Sequence, residues 1–275
     1  MSHSISVENL LALAGTQRWP IVVGATRCAK FEAEGRRIAG SVWRDHMQTA
    51  VWGPQLAGSG KPLVIYCLHG HNVSQLAVAR LRAMGINAIC LEGGIDAWEA
   101  AGGVSLKRHG PGVPLLLPQP TEWVTRARPK IDRIACPWLI RRFIDPFAVF
   151  HYVEAAWVKD IAEEIGGIAY DIDGVHYSHR GELCSFDVLL DEFEIDDPAL
   201  RKLALIVRGA DTARLDLAPQ AAGLLAISLG LSAIETDDLV QLEKGMAIYD
   251  ALYGWCRHAS GEIHNWPSAK AGAAS

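Results

Sequence analysis

The chain has 275 residues, 50% of them hydrophobic and 21% charged, with a formal net charge of −5. That composition describes a soluble globular protein long enough for two domains, each with its own core. A negative balance without a Lys/Arg block speaks against nucleic-acid binding, and no stretch approaches the roughly eighteen continuous apolar residues of a membrane span.

The first residues, Met1-Ser-His-Ser-Ile-Ser-Val-Glu-Asn-Leu, lack the basic and then apolar layout of a signal peptide. Helix-like runs at Val7 to Ala14 and Ser74 to Met84 alternate with apolar strand-like runs at Pro20 to Val23, Leu63 to Tyr66 and Ala88 to Leu91. Alternation of that kind predicts a parallel sheet covered on both faces. In Leu63-Val-Ile-Tyr-Cys67-Leu-His-Gly70-His-Asn-Val-Ser74, a thiol sits where a strand gives way to a tight loop and a helix. The helix dipole and the loop amides of Leu68, His69, Gly70, His71, Asn72 and Val73 are then expected to cradle a thiolate, a second sulfur or an anion. Farther on, Leu91-Glu-Gly93-Gly94-Ile-Asp-Ala-Trp98 reads as a strand end, a Gly-Gly turn and a helix start.

A Cys-x-x-Gly loop followed about two dozen residues later by Leu-x-Gly-Gly-x-x-x-Trp resembles the rhodanese family. The resemblance runs from about Arg18 to Gly103. It implies an α/β domain in which Cys67 is a nucleophile and persulfide carrier for a small sulfur donor and acceptor. Three departures stand out: Gly24 where the family carries Asp, Arg37 in place of the His of its turn, and Asn72 where its loop carries Arg. Positive charge at the loop is then expected from His69, His71 or the helix dipole. Phosphatases with a similar loop need an Arg six places after the Cys to grip a phosphoryl group, and Val73 stands there.

Between Lys107 and Thr125 four prolines and two glycines occur without periodicity, which predicts an extended connector between separable halves. The predicted division is residues 1–107, a connector over 108–125, a second domain over 126–260 and a tail over 261–275. That second domain is expected to be mainly α-helical, α+β in class, with a small β element ahead of its helices. Pro198 to Arg214 puts Leu200, Leu203, Ile206, Val207 and Ala210 on one stripe, and Leu239 to Arg257 turns Leu242, Met246, Tyr249, Tyr253 and Cys256 inward. The run from Gln220 to Leu231 is apolar nearly all round and reads as the central buried helix.

Pro137 after Cys136 reads as a helix start, with Asp132 and Arg133 just upstream. Arg133, Arg141 and Arg142 lie near enough in sequence to surround one concave site for a tetrahedral oxyanion such as chromate or sulfate. Asp173-Gly174 signals a hairpin turn, so Val175 to His179 reads as a strand with His176 and His179 on opposite faces. His179 with Glu182, Cys184, Asp187 and, from the next helix, Asp211 is a candidate mixed ligand set for iron, manganese or zinc. The alternative is a hydrogen-bonded His179, with Asp211 paired to Arg208 or Arg214 at helical spacing.

Three blocks, Arg128 to Asp145, His179 to Asp187 and Ile206 to Thr212, together resemble the family named for chromate resistance, the domain at the C-terminus of chromate-responsive regulators. In those regulators a DNA-binding domain precedes it, and here a rhodanese-like domain takes that place. The resemblance implies thiol-based sulfur transfer or redox handling linked to chromate or a sulfur oxyanion. A non-catalytic oxyanion- or metal-binding sensor is the alternative. Six cysteines without Cys-x-x-Cys spacing indicate neither a zinc ribbon nor a disulfide framework, and a reducing cytoplasm is expected.

Overall fold

The computed structural model describes residues 4–107 and 109–263; most of the predicted tail lies outside the described residues. The first half contains β1 (Ser4–Ile5), α1 (Val7–Leu11), β2 (Ile21–Gly24), α2 (Cys28–Glu34), β3 (Arg37–Ile38), β4 (Ser41–Trp43) and α3 (Thr49–Ala57). It continues through β5 (Leu63–Tyr66), α4 (Asn72–Ala83), β6 (Ala88–Leu91), α5 (Gly94–Ala100) and β7 (Ser105–Leu106). Five of the strands form a parallel sheet in the order β1-β6-β5-β2-β4, while β3 pairs antiparallel with β7. Successive strand residues point to opposite faces. Ile21, Val23, Leu63 and Ile65 therefore enter one core, whereas Val22, Val64, Tyr66 and Leu91 enter another with Trp19 and Trp98.

The second half contains β8 (Glu122–Arg126), α6 (Ile131–Leu139), β9 (Val149–Val153), α7 (Val158–Ile165), β10 (Ile168–Ala169) and α8 (Ser185–Glu192). Three longer helices follow, α9 (Pro198–Asp211), α10 (Ala221–Ile234) and α11 (Asp238–Gly254). The β element is a parallel ribbon ordered β10-β8-β9. The predicted stripes of α9 and α11 are buried as expected. No helix among the described residues is long and apolar enough to cross a membrane.

Three sequence expectations need correction. Pro137 does not begin a helix but lies inside α6, where it cannot donate to the carbonyl four residues back. That carbonyl belongs to Arg133, and the Tyr152 hydroxyl donates to it at 2.8 Å instead. Helix α10 is not central: Ile227, Leu229 and Ile234 are exposed, while Ser228 and Ser232 turn inward. An all-round apolar helix shows no periodicity from which to read its inner face. Val175 to His179 forms no strand, only isolated bridges, the nearest being Tyr170 with Tyr177 and Arg180 with Leu183.

The proline-rich stretch is not a free spacer. Its Val113 and Leu117 are buried in a core continuous with both halves, and Pro111 accepts from the Tyr177 hydroxyl at 2.9 Å. Residues 122–125 already belong to β8. Past α6 the chain continues as a wide-turn helical segment, Ile140–Ile144, whose terminal carbonyls have no helical partner. The first domain supplies those partners. Gly40 N–H donates to Phe143 O at 2.7 Å, and the buried Arg37 guanidinium donates to Ile144 O at 2.7 Å and Ser41 O at 2.6 Å. Gly40 has φ +69°, and a Cβ there would run into the Arg142 carbonyl.

Because these bonds tie the domains through buried groups, we expect a single urea transition. Arg37→Ala should cost about 3 kcal/mol, by stranding two buried carbonyls. Gly40→Ala should be destabilising too. Two separate transitions, one of them indifferent to Arg37→Ala, would contradict the coupling.

Candidate functional site

Cys67 follows the last residue of β5, and its Sγ lies 3.3 Å from Ser74 Oγ in the first turn of α4. Burial raises its thiol, but the Ser74 hydroxyl and the backbone amides of Ser74, His71 and His69 outweigh burial and hold it below the ordinary thiol range. The amides of His69, His71 and Ser74 face the sulfur, and Leu68, Asn72 and Val73 of the same run line the cavity over it. Burial pushes Cys90, Cys136, Cys184 and Cys256 up, and the exposed Cys28 is raised by slight desolvation together with its Glu32 neighbour.

The Gly-Gly turn explains how the loop keeps this shape. Ile95 N–H donates to Cys67 O at 3.0 Å and Asp96 N–H to Leu68 O at 3.1 Å, so the N-terminus of α5 caps the loop from beneath. The backbones approach so closely that a Cβ on Gly94 would collide with Cys67 O, and one on Gly70 would lie 2.7 Å from Leu91 O. Asp96 also holds His69 Nδ1 at 2.6 Å and Arg36 at 2.5 Å. A cavity of about 430 Å³ opens over the sulfur, with Thr26, Arg27, Lys30, His71 and Asn72 in its wall. Arg27 and Lys30 come from the turn into α2, a source of positive charge that the loop sequence does not reveal.

The departures from the rhodanese pattern have structural roles. Gly24 makes room for the Tyr66 hydroxyl, which a Cβ would meet at 2.9 Å and which accepts from Ile38 N–H at 3.1 Å. Arg37 is the interdomain anchor described above.

The second domain holds a cluster that the sequence reading only half captured. His179 Nε2 lies 3.1 Å from Asp211 Oδ2, 3.6 Å from Asp171 Oδ1 and 3.7 Å from Asp132 Oδ2. Asp171 and Asp211 push the His179 imidazole up to about 10, against its partial burial. Burial, with Asp211 and Asp171 nearby, pushes the Asp132 carboxyl well above the carboxylate range. Burial also raises Asp171, but His179, Ser185, Arg133 and Arg126 outweigh it and hold this carboxyl down.

Glu182, Cys184 and Asp187 do not join this cluster. Glu182 is exposed on the turn, and Asp187 Oδ2 accepts from Cys184 N–H at 3.1 Å to cap α8. Arg208 faces Asp187 at 3.6 Å and Arg214 pairs with Asp216 at 3.0 Å, so neither pairs with Asp211. His176 pairs with Glu192 at 2.9 Å, away from the cluster. The sequence missed Asp132 and Asp171 as site residues. Their signals were a carboxylate in the first turn of a helix and an Asp two places before Asp173-Gly174, which proves to have φ +53°.

The three arginines expected around one oxyanion diverge. Arg142 forks onto Asp250 at 2.9 and 3.0 Å, Arg141 pairs with Glu243 at 2.6 Å, and Arg133 reaches Asp171 at 3.4 Å. Arg133 stands eight residues ahead in α6, while Arg141 and Arg142 are adjacent on the widened turn and so point to different partners.

Residues 26–101 match the rhodanese-like domain, and residues 123–256 match the C-terminal domain of ChrB. Protein ChrB of Cupriavidus metallidurans is 34% identical over 137 residues, which is 49% of this chain and 40% of that protein; the chain thus spans well under half of that relative. A rhodanese-related protein from Thermoplasma volcanium is 24% identical over 38% of this chain and 99% of its own, with a TM-score of 0.33. A Rhodopseudomonas palustris protein of unknown function, described as a possible tyrosine phosphatase, is 27% identical over 37% of this chain and 83% of its own, again with a TM-score of 0.33. The first half of the chain thus carries a match to the rhodanese-like domain, and the second half a match to the C-terminal domain of ChrB.

Proposed function

We propose that the chain is a thiol-dependent sulfurtransferase of the rhodanese type, whose second domain links that chemistry to chromate or a sulfur oxyanion. The observation that supports it is selectivity among thiols: of six cysteines, all described, Cys67 alone is held below the ordinary range. In the first half-reaction the Cys67 thiolate attacks the outer sulfur of a donor such as thiosulfate. The donor's S–S bond breaks, sulfite leaves with the bonding pair, and Cys67 carries a persulfide. The amides of His69, His71 and Ser74 face the charge. An acceptor, cyanide or a thiolate, then attacks the outer sulfur, and the electron pair returns to Cys67. Sulfur is transferred without net oxidation. Arg27 and Lys30 in the cavity wall suit a doubly negative donor.

The link to chromate rests on the ChrB-like half. A second reading, a sensor that holds an anion over the loop without turnover, is favoured by Asn72 standing where a rhodanese loop carries a cation.

Cys67→Ser should abolish thiosulfate:cyanide sulfurtransfer while leaving the melting temperature unchanged, because a hydroxyl cannot carry the sulfane sulfur. A persulfide on wild-type Cys67 after thiosulfate treatment, read by mass spectrometry, should vanish in the variant. Activity retained in Cys67→Ser would overturn the assignment, and a wild type inert to every donor would favour the sensor. The thiolate is the reactive form, so a depressed thiol is alkylated at lower pH than an ordinary one. Ser74→Ala should therefore move the pH midpoint of Cys67 alkylation by iodoacetamide upward, by up to about one unit. An unmoved midpoint would show that the amides alone set it.

A further inference from the structure

We propose that Asp132, His179 and Asp211 form a binding site for one divalent transition-metal ion, with an open coordination position facing a cavity of the second domain. The reading does not depend on sulfur transfer at Cys67. The three residues arrive from separate elements: Asp132 from the first turn of α6, His179 from the irregular segment before α8, and Asp211 from the last turn of α9. One ligand atom from each lies within 4.8 Å of the others, a spacing that a single ion at bonding distance from all three would produce.

The cluster is more than a gathering of acids. The Asp132 side chain is fully buried, its Oδ2 accepting from Ser185 N–H at 2.5 Å and Phe186 N–H at 3.3 Å. Its Oδ1 is buried with no partner at all. A carboxylate oxygen withdrawn from water and left unpaired costs free energy that an ion bond would recover. Charge points the same way. Asp171 is already engaged by Arg126 at 3.3 Å and Arg133 at 3.4 Å, so it orients the cluster rather than ligating. Asp132 and Asp211 face no lysine or arginine ion pair among the described residues, and once an ion displaces the protons held by Asp132 and His179, two carboxylates with a neutral imidazole balance a dication.

One nitrogen and two oxygen ligands suit zinc, manganese or ferrous iron better than calcium, which needs six to eight oxygens, or cuprous copper, which prefers sulfur. Three protein ligands leave positions free. The His179 side chain is 41% exposed and borders a cavity of about 640 Å³ that also exposes Arg126, Lys159 and Ser178. A small anion entering there would find the free position beside two cations.

The test uses the full chain, stripped with EDTA and titrated calorimetrically with Zn²⁺ and, separately, Mn²⁺. Wild type should bind one equivalent, and each of Asp132→Asn, His179→Gln and Asp211→Asn should weaken binding on the order of tenfold or more. His176→Ala should bind like wild type, because it faces Glu192. Thermal melts separate ligation from folding: the variants should melt cooperatively without metal, Asp132→Asn no lower than wild type, yet lose the metal-induced rise in melting temperature. No binding by wild type to either ion, unimpaired binding by the Asp132 and His179 variants, or equal loss in His176→Ala would overturn the site.

Discussion

Arg37 carries a charge into the interior, 2% exposed, and donates to carbonyls on both sides of the domain boundary. Burial pulls its guanidinium down to about 10, with Tyr66 and Asp145 opposing, so it remains a cation at neutral pH. The helical segment ending at Ile144 leaves the Phe143 and Ile144 carbonyls to groups of the first domain, and the turn at Gly40 has no room there for a side chain. The chain from Arg37 to Ser41 thus serves two structures at once. It turns between β3 and β4 of one domain and caps a helix of the other. Burial of the proline-rich segment and of Tyr253 against Gly15 extends the same seam.

That rigidity sets the two candidate sites on a common frame. The Cys67 loop is held from below by α5, whose first amides bind the loop carbonyls, leaving the loop amides free to face the sulfur. The same backbone thus has its acceptors used by α5 and its donors turned toward the thiol. Arg27 and Lys30 of the turn into α2 share the cavity wall with Asn72.

In the second domain the acidic cluster depends on α6. Its first turn delivers Asp132 to the N-terminus of α8, where the Ser185 and Phe186 amides bind one oxygen and leave the other unpaired. Pro137 one turn later would strand a carbonyl were Tyr152 not there to donate to it. The ribbon strand β9, which carries Tyr152, therefore holds the helix that positions the acids.

Much of this was legible in the sequence. The alternation of strands and helices, the thiol at a strand-to-helix turn and the inward stripes of α9 and α11 all follow from residue periodicity and loop chemistry, which are local. So did His179 and Asp211 as neighbours. What the sequence left undecided depends on partners distant in the chain. Asp132 and Asp171 reach His179 only when α6, α8 and α9 pack, so adjacency in sequence pointed instead to Glu182, Cys184 and Asp187, which cap a helix. Arg133, Arg141 and Arg142 looked convergent because they are close in sequence, but a helix fans near neighbours around its axis, and each found an acid elsewhere. The same limit hid the seam: no local pattern can show that Arg37 would meet a carbonyl 107 residues away. Periodicity reports which residues leave water, while the identity of the group each one meets is decided by tertiary packing.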